Sequence, residues 1–211
     1  MLIIRSLLAV CLGIIIFGGA YPLFLAGIGR LFFPYAAEGS FLKVEGKKVG
    51  SELIAQSFTE KAFLVPRPSA AGPEGYDAAN SSGSNLRFAS RELTTSIEQR
   101  LQAYRLFNEV PASQPIPIDA VTTSASGLDP DISLDNALLQ ARRIASTRGI
   151  SEKQIRAIIR DQSVTSIFDR LGQRKVNVLN CNLAIDRFET YVKFSGENLH
   201  PLQLLEEGEG R

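Results

Sequence analysis

The apolar residues of this chain change their spacing several times, and each spacing predicts a different element. The N-terminal stretch is apolar without interruption: residues 7–28 contain no charged side chain, and Arg5 and Arg30 bracket them. A helix of this length reaches about 33 Å, enough for a bilayer core of roughly 30 Å. The pattern predicts one membrane-spanning helix, kinked near Tyr21 and Pro22 because proline interrupts the backbone hydrogen bonds.

A cleaved signal peptide is the alternative for this stretch, since Gly18-Gly19-Ala20 offers a small-residue cleavage site. The apolar run continues past that site through Leu31-Phe32-Phe33, whereas the apolar region of a signal peptide normally stops there. We therefore expect an uncleaved anchor. Gly13, Ala20 and Gly27 repeat every seven residues, and such a stripe of small residues favours close packing against a partner helix.

Beyond residue 33 the pattern changes to short amphipathic segments separated by turn residues, which predicts a mixed α/β domain. Residues 41–49 are typical of a hairpin that turns at Glu45-Gly46. The other elements predicted from caps and apolar spacing are a short helix at 51–59 capped by Ser51, a helix from Ser90 to Pro111, a strand at 118–123, a helix from Ser133 to Gly149, a helix opened by the capping box of Ser151 and Gln154, and a buried strand at 176–185.

These elements predict an α+β fold with one N-terminal transmembrane helix and one compact mixed α/β domain. Three parts are expected: a membrane anchor at 1–33, a soluble domain at 34–194 and a C-terminal tail at 195–211. The tail combines glycine and glutamate with few residues that form a core, which predicts flexibility.

One long stretch, residues 67–86, carries almost no bulky aliphatic side chain. Pro66, Pro68 and Pro73 exclude a helix or a central strand, and an irregular segment of this length is usually functional or disordered. We favour an ordered loop over a mobile linker, with Arg67 at its centre and Asp77 as the nearest acid. The side chains expected to structure the loop or to dock a partner are Arg67, Pro68, Ser69, Tyr76, Asp77, Ser84 and Asn85.

Residues suited to common enzyme chemistry are sparse. The single histidine, His200, lies in the tail, which argues against a His-assisted nucleophile and against a His-ligated metal site. Cys181 is expected in the core rather than as a reactive thiol. Asp129, Asp131 and Asp135 lack the spacing of a calcium loop, so we expect first-turn acids of a helix and predict no metal site.

The distribution of charge argues against nucleic acid as a partner, against an ion path through the span and against a phosphate site. Residues 34–211 carry 21 basic and 22 acidic groups without a basic run, which argues against nucleic acid. The span contains no ionisable side chain, so no ion path is expected through this helix alone. Residues 124–127 precede a helix and could cradle a phosphate, but they lack the P-loop pattern and lie among acids that would repel an anion.

Four stretches, in order along the chain, resemble the C subunit of the Kdp-type potassium-transporting ATPase (KdpC). They are residues 49–59, the RPSA, YDA and SSGSNL segments of the loop, VTTSASGLDPDIS at 121–133, and RKVNVLNCNLAID at 174–186. The resemblance covers roughly residues 1–186. The chain departs from the family at Leu64-Val65-Pro66, where an aromatic residue, His and Gly are more usual, at Asp131, where His is usual, and in its extra tail.

The resemblance implies an accessory, noncatalytic subunit that stabilises a high-affinity, ATP-driven potassium uptake complex. The implied partners are a potassium-channel-like subunit and the ATP-hydrolysing P-type ATPase subunit, with membrane lipid around the anchor. It also implies a single pass through the inner membrane, with a cytoplasmic N-terminus and an extracytoplasmic domain. No firmly bound cofactor is expected. Help with ATP binding is implied at Gln140, for which a solvated helix glutamine is the alternative.

Two functions of other classes stay open from the residues alone. A membrane-tethered enzyme or a small-ligand sensor would use the Ser/Gly-rich loop at 67–86. In the enzyme, Arg67 and Asp77 would be the site residues.

Overall fold

The computed structural model describes residues 1–164 and 172–195. Its backbone contacts divide the chain into two units, one at residues 1–51 and one from residue 52 onward. The predicted fold class is confirmed in that an apolar N-terminal helix precedes a mixed α/β domain. The predicted tail beyond Ser195, including His200, lies outside the described residues.

The first unit begins with a long helical span. Its segments are α1 (Leu2–Ile15), a π-helical turn (Ile16–Ala20), α2 (Tyr21–Phe32) and the short α3 (Pro34–Ala37). The stretch Leu2–Phe32, which contains an 18-residue window with a mean hydropathy of 2.4, is the one helix in the described part of the chain that is long and apolar enough to cross a membrane. The irregularity predicted at Pro22 is the π turn just before it, because proline has no N–H for the carbonyl one turn earlier.

The hairpin predicted after the span is confirmed as β1 (Phe41–Val44) paired antiparallel with β2 (Lys47–Ser51). Glu45 and Gly46 form its two-residue turn with φ of +50° and +78°, the left-handed conformation that suits the twist of a tight hairpin. The register shifts between Leu42 and Lys43, which places a bulge in the ladder.

The helix predicted at residues 51–59 is wrong. Ser51 ends β2, and its hydroxyl donates to the carbonyl of Gly39 at 2.7 Å instead of capping a helix. Residues 52–59 have no regular structure, and their polar groups bond to distant parts of the chain. The N–H of Ala55 donates to the carbonyl of Leu128 at 2.9 Å.

The described part of the second unit contains four α-helices and a small three-stranded antiparallel sheet, in which the strand that comes last along the chain lies in the middle. Its elements are α4 (Arg91–Asn108), a 3₁₀ turn (Ile118–Ala120), β3 (Asp131–Ser133), α5 (Leu134–Arg148), α6 (Glu152–Asp161), β4 (Ser163–Val164), β5 (Lys175–Asn177) and α7 (Val178–Ser195). The core lies among α5, α6, α7 and the sheet. Ile132, Ile144, Ile155, Ile159 and Ile185 are each at most 1% exposed there.

Apart from Ser51, the predicted helix starts and stops are confirmed. Ser90 and Ser133 accept a hydrogen bond from the N–H three residues later, which begins α4 and α5. Gly149 ends α5 in the left-handed conformation. Ser151 and Gln154 form the capping box of α6.

The strand predicted at 118–123 is wrong. The structure has a 3₁₀ turn there, and the Asp119 carboxylate accepts hydrogen bonds from the N–H and hydroxyl of Ser133 at 2.8 and 2.9 Å. The same carboxylate accepts from Asn136 Nδ2 at 3.1 Å. This segment therefore turns toward the start of α5 rather than extending as a strand.

The strand predicted at 176–185 is also wrong beyond Asn177. The side chain of Asn177 accepts from the N–H of Asn180 at 3.0 Å and starts α7. Cys181, expected in the core, is fully buried on this helix, and burial raises the pKa of its thiol to about 12. Val178, Cys181, Ile185 and Phe188 recur at helical spacing on the buried side, a period that the strand prediction overlooked.

Candidate functional site

The Ser/Gly-rich loop at residues 67–86 lies against residues 123–129, which we call the support loop. The hydroxyl of Ser69 donates to the carbonyl of Gly127 at 2.6 Å. The carbonyl of Ser126 accepts from the N–H of Ser82 and from the hydroxyl of Ser81, both at 2.9 Å. Two segments without regular structure are thereby joined by direct hydrogen bonds.

Ser69 and Tyr76 also organise the Ser/Gly-rich loop internally. The Ser69 hydroxyl accepts from the N–H groups of Ala71 and Tyr76 at 3.1 and 2.8 Å. The phenol of Tyr76 donates to the carbonyl of Arg67 at 2.9 Å. Burial raises the pKa of that phenol. These bonds close the first ten residues of the loop on themselves, as local side-chain bonds to the backbone can.

The two loops approach so closely that a glycine is required at their contact. Gly127 has φ of +68°, and a Cβ there would lie 2.5 Å from the carbonyl oxygen of Ser82 and 2.7 Å from the nitrogen of Ala71. A Cβ at Gly83 would lie 2.9 Å from the carbonyl oxygen of Ala125. Backbone therefore meets backbone without intervening side chains.

Arg67 reaches the support loop rather than its expected partner Asp77. Its Nη1 contacts Asp129 Oδ2 at 3.0 Å, and its Nη2 donates to the carbonyl of Thr123 at 3.3 Å. Its Nε is buried and has no hydrogen-bond partner within the described residues. Asp77 instead accepts from the N–H of Ala79 and from Asn80 Nδ2, at 2.9 and 2.5 Å, and these bonds lower the pKa of its carboxyl.

The other residues proposed for this loop lie around that centre. Pro68 is half-buried between Arg67 and Ser69, and Ser84 is half-buried near the end of the loop. Asn85 is exposed and takes the left-handed conformation, with φ of +48°. The loop thus presents backbone and small polar groups on its surface.

Just before this loop, residues 61–65 form a second irregular stretch, which we call the clamped segment. Each of its five consecutive carbonyl oxygens accepts a hydrogen bond from a side chain of α5 or α7. The donors, in order from Lys61 to Val65, are Arg143, Arg148, Arg143, Asn182 and Gln140. Side chains of α5 and α7 here provide the hydrogen bonds that a neighbouring strand provides in a sheet.

Two amide side chains each bond both the N–H and the carbonyl of one residue, as a neighbouring strand would. Asn182 accepts from the N–H of Leu64 at 2.7 Å and donates to its carbonyl at 3.0 Å. Gln140 does the same with Val65, at 2.9 and 3.1 Å. Gln140 is 1% exposed, so the interpretation of a solvated glutamine is wrong. Its Nε2 also donates to Asn136 Oδ1 at 3.1 Å.

Arg143 is the most unusual member of the clamp, since the residue is 2% exposed and its guanidinium forms no ion pair with a carboxylate among the described residues. It donates to the carbonyls of Lys61 and Phe63 and, through Nε, to Asn108 Oδ1 at 2.8 Å. The ring of Phe107 lies 4.5 Å from the guanidinium carbon. Burial lowers the pKa of Arg143 to about 10.

Sequence patterns alone did not single out Arg143 and Asn182, although a signal was present for Asn182. Asn182 lies on the face of α7 that carries the buried Val178 and Ile185, whereas Arg143 lies on the side of α5 opposite Ala141, next to the buried Gln140. A polar residue on the apolar side of a helix is expensive to bury unless it is hydrogen-bonded. Such residues therefore mark backbone or side-chain partners elsewhere in the fold.

The three aspartates do not gather into a cation site. Asp129 pairs with Arg67, Asp131 with Lys175 at 2.5 Å, and Asp135 is exposed in the first turn of α5. The described residues contain no group of three or more His, Cys, Asp or Glu side chains that could hold a metal ion. First-turn placement, expected for all three, holds only for Asp135.

In the membrane helix, Gly13 and Gly27 have open space where a Cβ would project. The π turn at residues 16–20 lies between them and adds a residue to one helical turn. This addition shifts Gly27 around the helix axis relative to Gly13. The seven-residue spacing therefore does not keep Gly13 and Gly27 on one straight line.

Comparison with known proteins identifies relatives over most of the chain. The family model described as K⁺-transporting ATPase, c chain (KdpC) matches residues 3–187. The chain is 48% identical over 173 residues to the potassium-transporting ATPase KdpC subunit of Mycobacterium tuberculosis, covering 82% of this chain and 91% of that protein. The proteins of the same name from Photorhabdus laumondii and Koribacter versatilis are 44% and 39% identical over 172 and 184 residues, covering 82% and 87% of this chain and 89% and 93% of theirs.

Proposed function

Because the chain belongs to the KdpC family of K⁺-transporting ATPase subunits, we propose that it is an accessory, noncatalytic subunit that stabilises the assembly of an ATP-driven potassium uptake complex. The proposed partners are a potassium-channel-like subunit and the ATP-hydrolysing subunit of that complex. Its single apolar helix suits a membrane-associated transport subunit.

One observation carries the proposal: the Ser/Gly-rich loop is held in one shape by residues that offer no reactive group. The hydroxyls of Ser69 and Tyr76 and both terminal nitrogens of Arg67 form hydrogen bonds within the loop or with the support loop. A preformed surface of backbone and small polar groups binds a partner with little loss of conformational entropy. We therefore assign docking of a partner subunit to residues 67–86.

The proposed topology is a single pass through the inner membrane, with the N-terminus in the cytoplasm and the domain outside. A retained single helix is supported by an apolar run that continues well past the cleavage site at residues 18–20, and the orientation is what the family resemblance implies. Gly13, Ala20 and Gly27 are proposed to contact partner helices, since Gly13 and Gly27 leave room for a close approach. Because the π turn separates Gly13 from Gly27 around the helix axis, the two positions would be approached from different sides.

Help with ATP binding by the ATP-hydrolysing subunit, implied by the family resemblance, is proposed to be indirect. Gln140 is the residue to which that role was attached, and its amide is occupied by Val65, Asn136 and Arg143 inside the domain. Adding a photoreactive ATP analogue to the assembled complex tests this. We expect labelling of the ATP-hydrolysing subunit only, and labelling of α5 at or next to Gln140 would show direct contact and contradict the proposal.

Copurification of the whole complex tests the docking surface. With the channel-like subunit tagged, wild-type chain should be recovered together with the ATP-hydrolysing subunit. Arg67→Lys should reduce recovery, because a point charge cannot contact Asp129 and the Thr123 carbonyl with the same planar geometry. Arg67→Ala should reduce it further, with a loss of about 1–2 kcal/mol for this half-buried pair.

Arg87→Ala is the matched control, since Arg87 is exposed just beyond the loop, and its recovery should equal that of wild type. Limited proteolysis should show faster cleavage within residues 66–86 in the Arg67 variants alone. Absence of both partner subunits from the wild-type preparation would overturn the accessory role itself. Rapid wild-type cleavage in the loop, unchanged by Arg67→Ala, would overturn only its use as a docking surface.

A further inference from the structure

The hairpin of β1 and β2 is connected to the end of the membrane helix by a continuous series of hydrogen bonds. All of them lie within the unit of residues 1–51. They join Phe33 N to Gly29 O at 2.8 Å, Ala37 N to Phe33 O at 2.9 Å, Ser40 N to Tyr35 O at 3.0 Å, and Ser51 Oγ to Gly39 O at 2.7 Å. The hairpin is therefore fixed to the helix end rather than joined by a free linker.

Aromatic side chains show where this helix end meets the membrane surface. Phe32, Phe33 and Tyr35 are exposed at the last turn of α2 and in α3. Tyrosine is enriched at the boundary between acyl chains and headgroups, where its ring is apolar and its hydroxyl polar. The hairpin begins at Phe41, only a few residues beyond that boundary.

The hairpin carries an excess of positive charge. Lys43, Lys47 and Lys48 are exposed, and Glu45 at the turn is the one acid between Phe41 and Ser51. Within the described part of the chain, none of the three lysines forms an ion pair with a carboxylate. The ammonium of Lys48 lies over the ring of Phe41, 4.3 Å from its centroid.

Each face of the hairpin combines an exposed apolar side chain with lysine: Phe41, Lys43 and Lys48 share one face, and Val44 and Lys47 share the other. Phe41 is 37% exposed and Val44 is 39% exposed. Lysine stems lie along apolar surface while their ammonium groups reach polar partners. A surface with apolar groups and unpaired ammonium groups matches the chemistry of a headgroup layer that contains phosphate.

We propose that the hairpin, residues 41–51, is a binding surface for anionic phospholipid headgroups at the membrane surface next to the anchor. Lys43, Lys47 and Lys48 contact lipid phosphate, and Phe41 with Val44 packs into the interfacial layer. Positive charge next to a membrane helix is attracted to anionic lipid, with an effect of about fivefold in affinity per lysine. A membrane is the occupant favoured here because the anchor itself places lipid beside the hairpin.

The chain contains no tryptophan, so one introduced tryptophan reports on the hairpin without background. The full-length Val44→Trp protein is placed in lipid nanodiscs that contain phosphatidylcholine and phosphatidylglycerol. In one preparation the phosphatidylglycerol is brominated near the headgroup, and in another an equal fraction of the phosphatidylcholine is brominated. Bromine quenches tryptophan only on close contact, so the ratio of the two quenching signals measures which lipid surrounds the hairpin.

We expect brominated phosphatidylglycerol to quench at least about twofold more strongly than brominated phosphatidylcholine. The difference should disappear in about 1 M salt, where the screening length is roughly 3 Å. It should also disappear when Lys43, Lys47 and Lys48 are changed to Gln. The difference should remain when three exposed cations of the other unit, Lys61, Arg142 and Lys153, are changed to Gln instead.

Quenching by neither lipid would show that the hairpin does not contact the membrane and would overturn the proposal. Equal quenching by both lipids, or a preference that survives the hairpin lysine substitutions, would overturn it too. Phe41→Trp serves as a second reporter if Val44→Trp fails to fold. The measurement uses the chain without its partner subunits, so its outcome is independent of the docking role proposed for residues 67–86.

Discussion

The clamped segment and the Ser/Gly-rich loop are neighbours in sequence, and neither contains a helix or strand, yet different kinds of bond order them. Residues 61–65 bond to buried side chains of α5 and α7 that lie 75 or more positions later in the sequence. Residues 67–86 bond to their own side chains and to the backbone of the support loop. The clamped segment is therefore ordered by side chains of the core, and the Ser/Gly-rich loop by hydrogen bonds between the two surface loops.

This difference teaches which part of the domain can change shape independently. The clamped segment cannot leave its place without exposing Gln140, Arg143 and Asn182, so its opening should coincide with unfolding of the domain. The Ser/Gly-rich loop can lose its contacts while the core stays packed. Segments with few buried contacts open at lower free energy than the core does.

The largest expected effect comes from breaking the clamp at Arg143. Arg143→Met leaves the carbonyls of Lys61 and Phe63 and the side chain of Asn108 without their donor, and should lower the free energy of unfolding by about 3 kcal/mol or more. Urea unfolding of the purified protein, followed by circular dichroism, measures it. The adjacent Arg142 is exposed, so Arg142→Met should stay within about 0.5 kcal/mol of wild type. Equal losses from both variants would contradict a clamp at Arg143.

A smaller effect should follow from separating the two loops at Gly127. Gly127→Ala combines a left-handed backbone with close contacts to Ser82 and Ala71, and should cost about 2–3 kcal/mol. Gly149 has the same φ of +68° but nothing within 4 Å of its Cβ position, so Gly149→Ala should cost only about 1 kcal/mol. Proteolysis within residues 66–86 should accelerate in the first variant alone. Similar cleavage of both would show that the loop contact is not what holds residues 67–86.

The smallest effect should come from acid acting on Asp77. Its carboxyl has a pKa below the ordinary value in the folded chain because Asn80 and the N–H of Ala79 bond to it. Its stabilising bonds are therefore complete above a pH of about 3.9 and are lost as pH falls through the lower folded value. Hydrogen exchange at Ala79, corrected for its intrinsic pH dependence, should accelerate below that pH while Leu64 stays protected. Asp77→Asn should remove the pH dependence, and simultaneous loss of protection at Leu64 would contradict the separation of the two stretches.

Local signals predicted the parts of the fold that depend on neighbouring residues. Ser90, Ser133 and the pair Ser151 and Gln154 were identified as caps because a cap involves only three or four positions. The hairpin turn at Glu45-Gly46 was predicted for the same reason, because it too depends on a few neighbouring residues. The apolar span needed only its own length and composition.

The contacts that were not predicted from the sequence involve partners that are far apart along the chain. Asp119 turns toward Ser133 and Asn136, and this contact replaced the expected strand at 118–123. The ion pair of Arg67 with Asp129 joins residues 62 positions apart, whereas nearness in sequence favoured Asp77 as the partner. Each of these outcomes depends on how distant elements meet in space.

The pairing of Leu64 with Asn182 has a consequence for the order in which the domain is built. Synthesis proceeds from the N-terminus, so Leu64 leaves the ribosome long before its partner 118 positions later. Until α7 has emerged, neither the N–H nor the carbonyl of Leu64 has the bond seen in the finished fold. We expect the nascent domain to stay open through most of its translation and to close only when its last helix arrives. Ribosome-bound chains that end before residue 178 should be cut by protease at residues 61–65, and chains long enough to expose α7 should resist.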